Sequence, residues 1–102
     1  MKNKNDLIKR LNEIKERLKV VEEMLKISRE ANEVNEIDLK SYSKFKPQAG
    51  DDLIIYEIVQ DIERINNNIE LLEFERISLR AEKKSIIKYL SLESSEPNQP
   101  GN

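Results

Sequence analysis

The stretch IIYEIVQDIERINNNIELL, residues 54–72, decides the fold of this chain. Its apolar positions alternate by three and four residues, and the same frame continues as far as residue 90. These positions are Ile55, Ile58, Ile62, Ile65, Ile69, Leu72, Leu79, Ile86 and Leu90. The alternation is the a/d stripe of a coiled coil, in which one face of a long helix packs against another helix. The sequence therefore predicts a helix over residues 52–92.

A second helix with the same stripe comes earlier in the chain. Its a/d positions are Leu7, Leu11, Ile14, Leu18, Val21 and Leu25. We expect this helix over residues 5–36, followed by a connector over residues 37–51 and, at the other end of the chain, a disordered polar tail over residues 94–102. Two long helices joined by a connector favour an antiparallel arrangement. The predicted fold is all-α, an antiparallel two-helix coiled-coil hairpin over residues 1–93.

A further apolar stripe lies beside the first one. It runs through Ala31 on the first helix, and two further apolar residues flank the a/d stripe of the second helix. The residues of this expected oligomer seam are Val20, Met24, Ile27, Val34, Ile54 and Val59. A monomeric hairpin would expose them as a long apolar strip, which soluble monomers rarely tolerate. We expect a homo-oligomer, most simply a dimer of hairpins forming a four-helix bundle; the alternative is that the seam binds a different protein.

The charges are segregated along the expected rod. Residues 1–19 carry seven Lys or Arg against three Asp or Glu, residues 76–90 carry five against one, and residues 20–75 carry six against fourteen. An antiparallel hairpin brings both basic segments to its open end. There they form a basic ridge of Lys9, Arg10, Arg76, Arg80, Lys83, Lys84 and Lys88. This ridge is expected either to orient two hairpins as they pair or to bind an anion or an acidic partner.

Two residues of the basic ridge, Arg76 and Lys83, occupy a positions of the coiled-coil stripe. Basic residues at such positions cost stability and can fix the register or the number of partners. Their long side chains can instead run out of a loosened seam and reach water. We expect the second arrangement, with a splayed and partly hydrated open end that could also receive an anion.

The segment KSYSKFKPQAGDD, residues 40–52, contains most of the expected connector. Its basic and aromatic residues are Lys40, Tyr42, Lys44, Phe45 and Lys46. Aromatic side chains are costly to leave in water, so this cluster is a candidate surface for binding a partner. The alternative is that the two aromatic side chains fold back and close the end of the hairpin, while the lysines meet nearby carboxylates.

The composition excludes several classes of chemistry. The chain has no Cys, no His and no Trp, which removes disulfides, thiolate nucleophiles, imidazole bases and the commonest zinc ligands. It has no glycine-rich phosphate loop and no distinctive carboxylate pair, so we expect no catalytic residue, no metal site and no cofactor. No apolar run is long enough for a signal peptide or a membrane span. We expect a soluble, cytoplasmic protein that is not an enzyme and has no membrane partner.

The order of the segments carries a family resemblance. A helix, a connector containing Ser and Tyr, and the segment DDLIIYEIVQDIERINNNIELLEFERISLRAEKKSIIKYLSLE resemble the N-terminal half of small phage late-gene transcription regulators of the ArpU type, over residues 5–93. In that family a helix-turn-helix follows a segment like KSIIKYLSLE and carries the DNA contacts. In this sequence SSEPNQPGN follows instead. The resemblance therefore implies a helical fold and a phage origin, and it assigns no DNA-contacting residue here.

These features favour a non-enzymatic regulatory or inhibitor protein, encoded by a phage or mobile element. It would bind and mask a partner protein of the host or phage through the connector or the basic ridge. Two alternatives stay open: a hairpin that binds nucleic acid along a helix face, and a sponge for small anionic nucleotides between subunits. In the sponge, the pocket would be lined by Arg76, Arg80, Lys83 and Lys84.

Overall fold

The computed structural model describes residues 3–44 and 50–95, and within them the chain forms two α-helices. Helix α1 spans Lys4–Lys44 and helix α2 spans Asp51–Ser95. The helices run antiparallel and pack against each other as a hairpin, in a rod with extents of 82 × 20 × 15 Å. The predicted helical hairpin is confirmed.

Each helix begins at a capping residue. The side-chain Oδ1 of Asn3 accepts a hydrogen bond from the backbone N–H of Asp6 at 2.8 Å, which satisfies one of the free donors of the first turn. Gly50 precedes α2 with a φ of 91°, a backbone conformation that glycine adopts without steric cost. Its carbonyl accepts a hydrogen bond from the N–H of Ile54 at 3.3 Å. Both starts are thus encoded by residues just outside the helices.

Helix α1 extends beyond the predicted boundary at residue 36. The segment IDLKSYSK, residues 37–44, contains neither Gly nor Pro, so nothing in it breaks the helix. The next helix-breaking residue is Pro47, which disfavours the α conformation of the residue before it. The rest of the predicted connector before Gly50 lies outside the described residues. Of the predicted tail, residues 94–95 continue α2, and residues 96–102 lie outside the described part of the chain.

The apolar core lies in the open half of the hairpin, away from the connector. Its buried side chains are Ile14, Val21, Leu25, Leu72, Leu79 and Ile86. Partly buried apolar side chains from both helices pack around them. In the half beside the connector, the stripe residues are only half-buried: Ile55, Ile58, Ile62 and Ile65. The densest apolar packing is therefore at the end where the sequence places basic residues in the seam.

Arg76 and Lys83 complete this core instead of splaying it. Ion pairs on both sides of the hairpin fix a register in which Arg76 lies level with Val21 and Lys83 lies level with Ile14. Val21 and Ile14 are 0% exposed, which we attribute to cover from the long aliphatic stems of the two basic residues at these levels. Nε of Arg76 is itself buried. The side chain of Arg76 is only 23% exposed. The expectation of a splayed, hydrated open end is wrong.

Near the middle of the rod the seam becomes polar on α1. The stripe continues past Leu25 through Ser28, Asn32 and Asn35, and Asn32 is buried, with 7% of its surface exposed. Its Nδ2 donates a hydrogen bond to Oδ1 of Asn66 at 2.8 Å, and Nδ2 of Asn35 donates to Oδ2 of Asp61 at 2.9 Å. Both bonds cross between the helices. They hold the register in the part of the hairpin where apolar packing is weakest.

Candidate interaction surfaces

One side of the hairpin, the first edge, is defined by two ion pairs between the helices. Arg10 donates two hydrogen bonds to the carboxylate of Glu82, both at 2.8 Å, and Arg17 donates two to Glu75, at 2.5 and 2.9 Å. Two parallel bonds of this kind are the strongest geometry open to an exposed pair. The hydrogen bond from Arg17 lowers the pKa of the Glu75 carboxyl, and the bond to Glu82 raises the pKa of Arg10.

The opposite side, the second edge, carries another set of ion pairs. Oε1 of Glu22 lies 3.3 Å from Nη1 of Arg76 and 3.5 Å from Nη2 of Arg80. Further along, Nη2 of Arg29 donates a hydrogen bond to Oε2 of Glu73 at 2.7 Å. Exposed pairs of this kind contribute about 1 kcal/mol or less to stability each. Their main consequence is alignment, because together with the first edge they fix how the two helices slide past each other.

The predicted basic ridge winds around α2. Each step of four residues turns about 40° around a helix, so the ridge passes from the seam at Arg76 to the outer face at Lys88. Arg10, Arg76 and Arg80 are bonded to acidic side chains of the other helix. The remaining ridge residues have no ion-pair partner among the described residues: Lys9, Lys83, Lys84 and Lys88. About half of the predicted ridge is therefore neutralised within the hairpin.

The candidate connector surface is only partly within the described residues. Lys40, Tyr42 and Lys44 lie in the last turns of α1, so this part of the cluster is helical. Lys40 is exposed and Tyr42 is half-buried. Phe45 and Lys46 lie outside the described residues. The partner-binding role of this cluster stays a prediction.

The predicted oligomer seam divides between the two edges. Residues that are whole heptads apart lie on the same side of a coiled-coil helix. Met24 lies one heptad after Arg17, and Ile54 lies three heptads before Glu75, so both are on the first edge. Val59 lies two heptads before Glu73, so it is on the second edge, and it is half-buried. The other exposed seam residues on the first edge are Val20, Ile27 and Val34.

A further apolar surface on the outer face of α2 was not identified from the sequence. We call it the outer ridge: Leu71, Phe74 and Ile77, which are 70%, 71% and 63% exposed. They follow one another at steps of three residues, so they are neighbours on the helix surface. A full heptad assignment would have found them, because they occupy c, f and b positions, which face away from the partner helix in a two-helix coil.

The described residues hold no candidate metal-binding group and no candidate membrane span. Within residues 3–44 and 50–95, no group of three acidic side chains lies close enough together to hold a metal ion. Neither helix, over the same residues, has a stretch apolar enough to cross a membrane. At the basic end a shallow surface depression is lined by Arg80, Lys83, Lys84 and Ile87. The hairpin thus presents apolar strips, lysines and paired charges.

No family model, no curated protein and no solved structure matches this chain. The resemblance to ArpU-type regulators rests on the order and pattern of the segments alone and stays a prediction. The proposed function therefore rests on the chemistry of the two edges, the outer ridge and the basic end.

Proposed function

We propose that this chain is a non-enzymatic regulatory or inhibitor protein, encoded by a phage or mobile element, that binds and masks a partner protein. The outer ridge is the observation that carries the proposal. Leu71 and Phe74 are the two most exposed large apolar side chains among the described residues, and the hairpin seam uses neither of them. Apolar side chains at this spacing on an exposed helix are the form in which helices dock into apolar grooves.

Masking requires only a rigid helix that fills a groove on its partner. Helix α2 has 45 residues, which corresponds to a rod of about 65 Å. The outer ridge lies near its middle, so the flanking turns would cover the surface on both sides of the groove. Burial of three large apolar side chains contributes about 1.5–3 kcal/mol each before the costs of association. A micromolar affinity needs about 8 kcal/mol after those costs, so contacts from the flanking turns would have to contribute as well.

A comparative pull-down tests this proposal. The wild-type chain, Phe74→Lys and Tyr56→Lys would be immobilised and exposed to lysate of a bacterial host. Tyr56 is a matched control, because it is also an exposed aromatic residue on α2 but lies outside the outer ridge. We expect one protein to be retained by the wild type and by Tyr56→Lys and lost with Phe74→Lys. Identical retention by all three chains would contradict the proposal. A fourth chain, Tyr42→Ala, tests the end of α1: loss of the retained protein with this variant and not with Phe74→Lys would move the contact there.

The proposal includes self-association of the hairpins, with a dimeric four-helix bundle as the simplest assembly. It is supported by the apolar side chains that the hairpin leaves exposed on its first edge. Light scattering at micromolar concentration is expected to report about twice the chain mass of 12.0 kDa. A mass equal to that of one chain would contradict it.

The basic end supports a second candidate, the binding of an acidic ligand. Three lysines there, Lys83, Lys84 and Lys88, have no ion-pair partner among the described residues, and two of them line the depression beside Arg80. Nucleic acid would be revealed by an electrophoretic mobility shift that weakens as salt rises. A small nucleotide would be revealed by thermal stabilisation in a nucleotide panel. A flat response in both assays would remove this candidate.

A further inference from the structure

The first edge carries a complete second heptad seam on α1. The exposed apolar side chains of this seam recur at alternating steps of four and three residues, and one half-buried alanine completes the alternation. The residues of this first-edge seam are Val20, Met24, Ile27, Ala31 and Val34. Such spacing is what a helix needs to pack against another helix along its length. The a/d seam of α1 already holds α2, so the first-edge seam is left without a helix to pack against.

The first-edge seam is symmetric about its centre. Ile27 lies in the middle, with Val20 and Val34 seven residues away on either side, and Met24 and Ala31 almost equally spaced between them. A two-fold axis that crosses the helix beside Ile27 would therefore bring Val20 of one copy against Val34 of the other. An interface around a two-fold axis must be complementary to itself in this way.

The length of the overlap is sufficient for a stable dimer. An axis beside Ile27 makes the two copies of α1 overlap from Arg10 to Lys44, which is about 50 Å of helix. With a rod thickness of 15 Å, each hairpin would contribute roughly 750 Å². Stable interfaces bury about 800 Å² on each partner. A side-by-side contact along the first edge therefore falls within the range of stable interfaces, roughly 600–1,000 Å² on each partner, without any rearrangement of the hairpin.

The charges of the two halves of the rod select an antiparallel pair. On the open side of Ile27, residues 3–26 and 71–93 carry twelve Lys or Arg against nine Asp or Glu. On the closed side, residues 28–44 and 50–69 carry four against nine. An antiparallel pair sets the basic half of each hairpin against the acidic half of the other, whereas a parallel pair would set the two acidic halves together.

Two acidic side chains next to the first-edge seam oppose pairing. Glu23 and Glu30 lie on its solvent side, and a two-fold axis beside Ile27 would bring Glu23 of one copy near Glu30 of the other. Lys26 lies within one turn of both on the same helix. It offsets part of their repulsion.

We propose that a second copy of this chain occupies the first-edge seam, antiparallel to the first copy and related to it by a two-fold axis beside Ile27. The inference rests on the self-association included in the proposed function and specifies its surface and direction. The outer ridge lies on the outer face of α2, so it is free to bind a partner protein in the same assembly.

Cysteine cross-linking tests the direction, and the natural sequence contains no Cys to interfere. Under mild oxidation we expect Ile27→Cys to form a disulfide between two copies. A mixture of Val20→Cys and Val34→Cys, distinguished by mass, is expected to link across the two variants, while Val20→Cys alone does not. Efficient linking of Val20→Cys to itself would show a parallel pair and overturn the proposal. Efficient linking through Val59→Cys, on the second edge, would overturn the choice of edge.

A pair of matched substitutions separates this proposal from self-association in general. Ile27→Asp is expected to raise the dimer dissociation constant at least about 100-fold, because each dimer loses two buried isoleucines at its axis. Ile8→Asp, an exposed isoleucine of α1 on the second edge, is expected to leave it within about threefold. A dimer that survives Ile27→Asp overturns the proposed surface but leaves self-association intact. A wild-type chain that is monomeric in light scattering refutes both.

Discussion

Replacing Asn32 by Leu is expected to stabilise the hairpin. Asn32 is 7% exposed, its Nδ2 donates one hydrogen bond to Asn66, and its Oδ1 has no partner among the described residues. A buried polar atom without a partner costs about 1–3 kcal/mol. Burial of a leucine, whose side chain has the same number and branching of heavy atoms, adds about 1.5–3 kcal/mol. Loss of the hydrogen bond subtracts about 0.5–1.5 kcal/mol, since the exposed Asn66 can bond to water.

The expected net gain is therefore about 1 kcal/mol or more, with a central value near 3 kcal/mol. For a chain of this size the lower figure corresponds to a rise in Tm of roughly 4 °C. Thermal and urea unfolding would be followed by circular dichroism at one fixed protein concentration, because association also changes the apparent stability. Asn67→Leu, an exposed position of α2, is the control and should change stability by less than about 0.5 kcal/mol. An unchanged or lower Tm for Asn32→Leu would refute the reasoning.

Three further predictions concern the core and the ion pairs. Ile14→Ala should lower the free energy of unfolding by about 2–5 kcal/mol, whereas Ile58→Ala should lower it by less than about 2 kcal/mol. The reason is that Ile14 is fully buried and Ile58 is only half-buried. Equal losses for the two variants in urea unfolding would contradict this. Arg76→Met should preserve stability and Arg76→Ala should lower it by about 1–2 kcal/mol, since the stem provides the packing; the reverse order would exclude a covering role. Because the pKa of Glu75 is lowered in the folded protein, its ionised carboxylate stabilises the fold at pH values above the ordinary pKa of about 4.3. This stabilisation is lost as the pH falls through the lowered pKa. Glu75→Gln should lose stability near pH 7, and its difference from the wild type should shrink below about pH 4; a constant difference would show that the bond to Arg17 does not titrate.

The sequence was sufficient to predict the hairpin because the heptad stripe is a local property of each helix. Spacing alone places Ile14 and Leu72 in the seam, and both are buried. It was a poorer guide where the stripe turned polar. The predicted a/d positions of the first helix stop at Leu25, whereas the seam continues through Asn32 by a hydrogen bond to Asn66. Polar residues at seam positions give no apolar signal, so only the facing helix reveals that they are buried.

The candidate surfaces depended even more on the facing helix. The basic ridge was predicted from charge alone, but Arg10 and Arg80 lie opposite carboxylates of the other helix. The outer ridge around Phe74 could have been predicted from its heptad position, since an f residue faces solvent whatever the register. Assigning Val20 and Val59 to opposite edges required the register between α1 and α2.

The amino-acid sequence by itself determined two helices, their common seam and the segregation of charge, because these follow from spacing and residue type within one helix. Only the tertiary structure decided which charges neutralise each other, which basic stems cover the core, and which apolar side chains stay exposed together. Those outcomes depend on how far one helix slides along the other. That register is set jointly by contacts such as Arg17 with Glu75 and Arg29 with Glu73, between residues far apart in the chain.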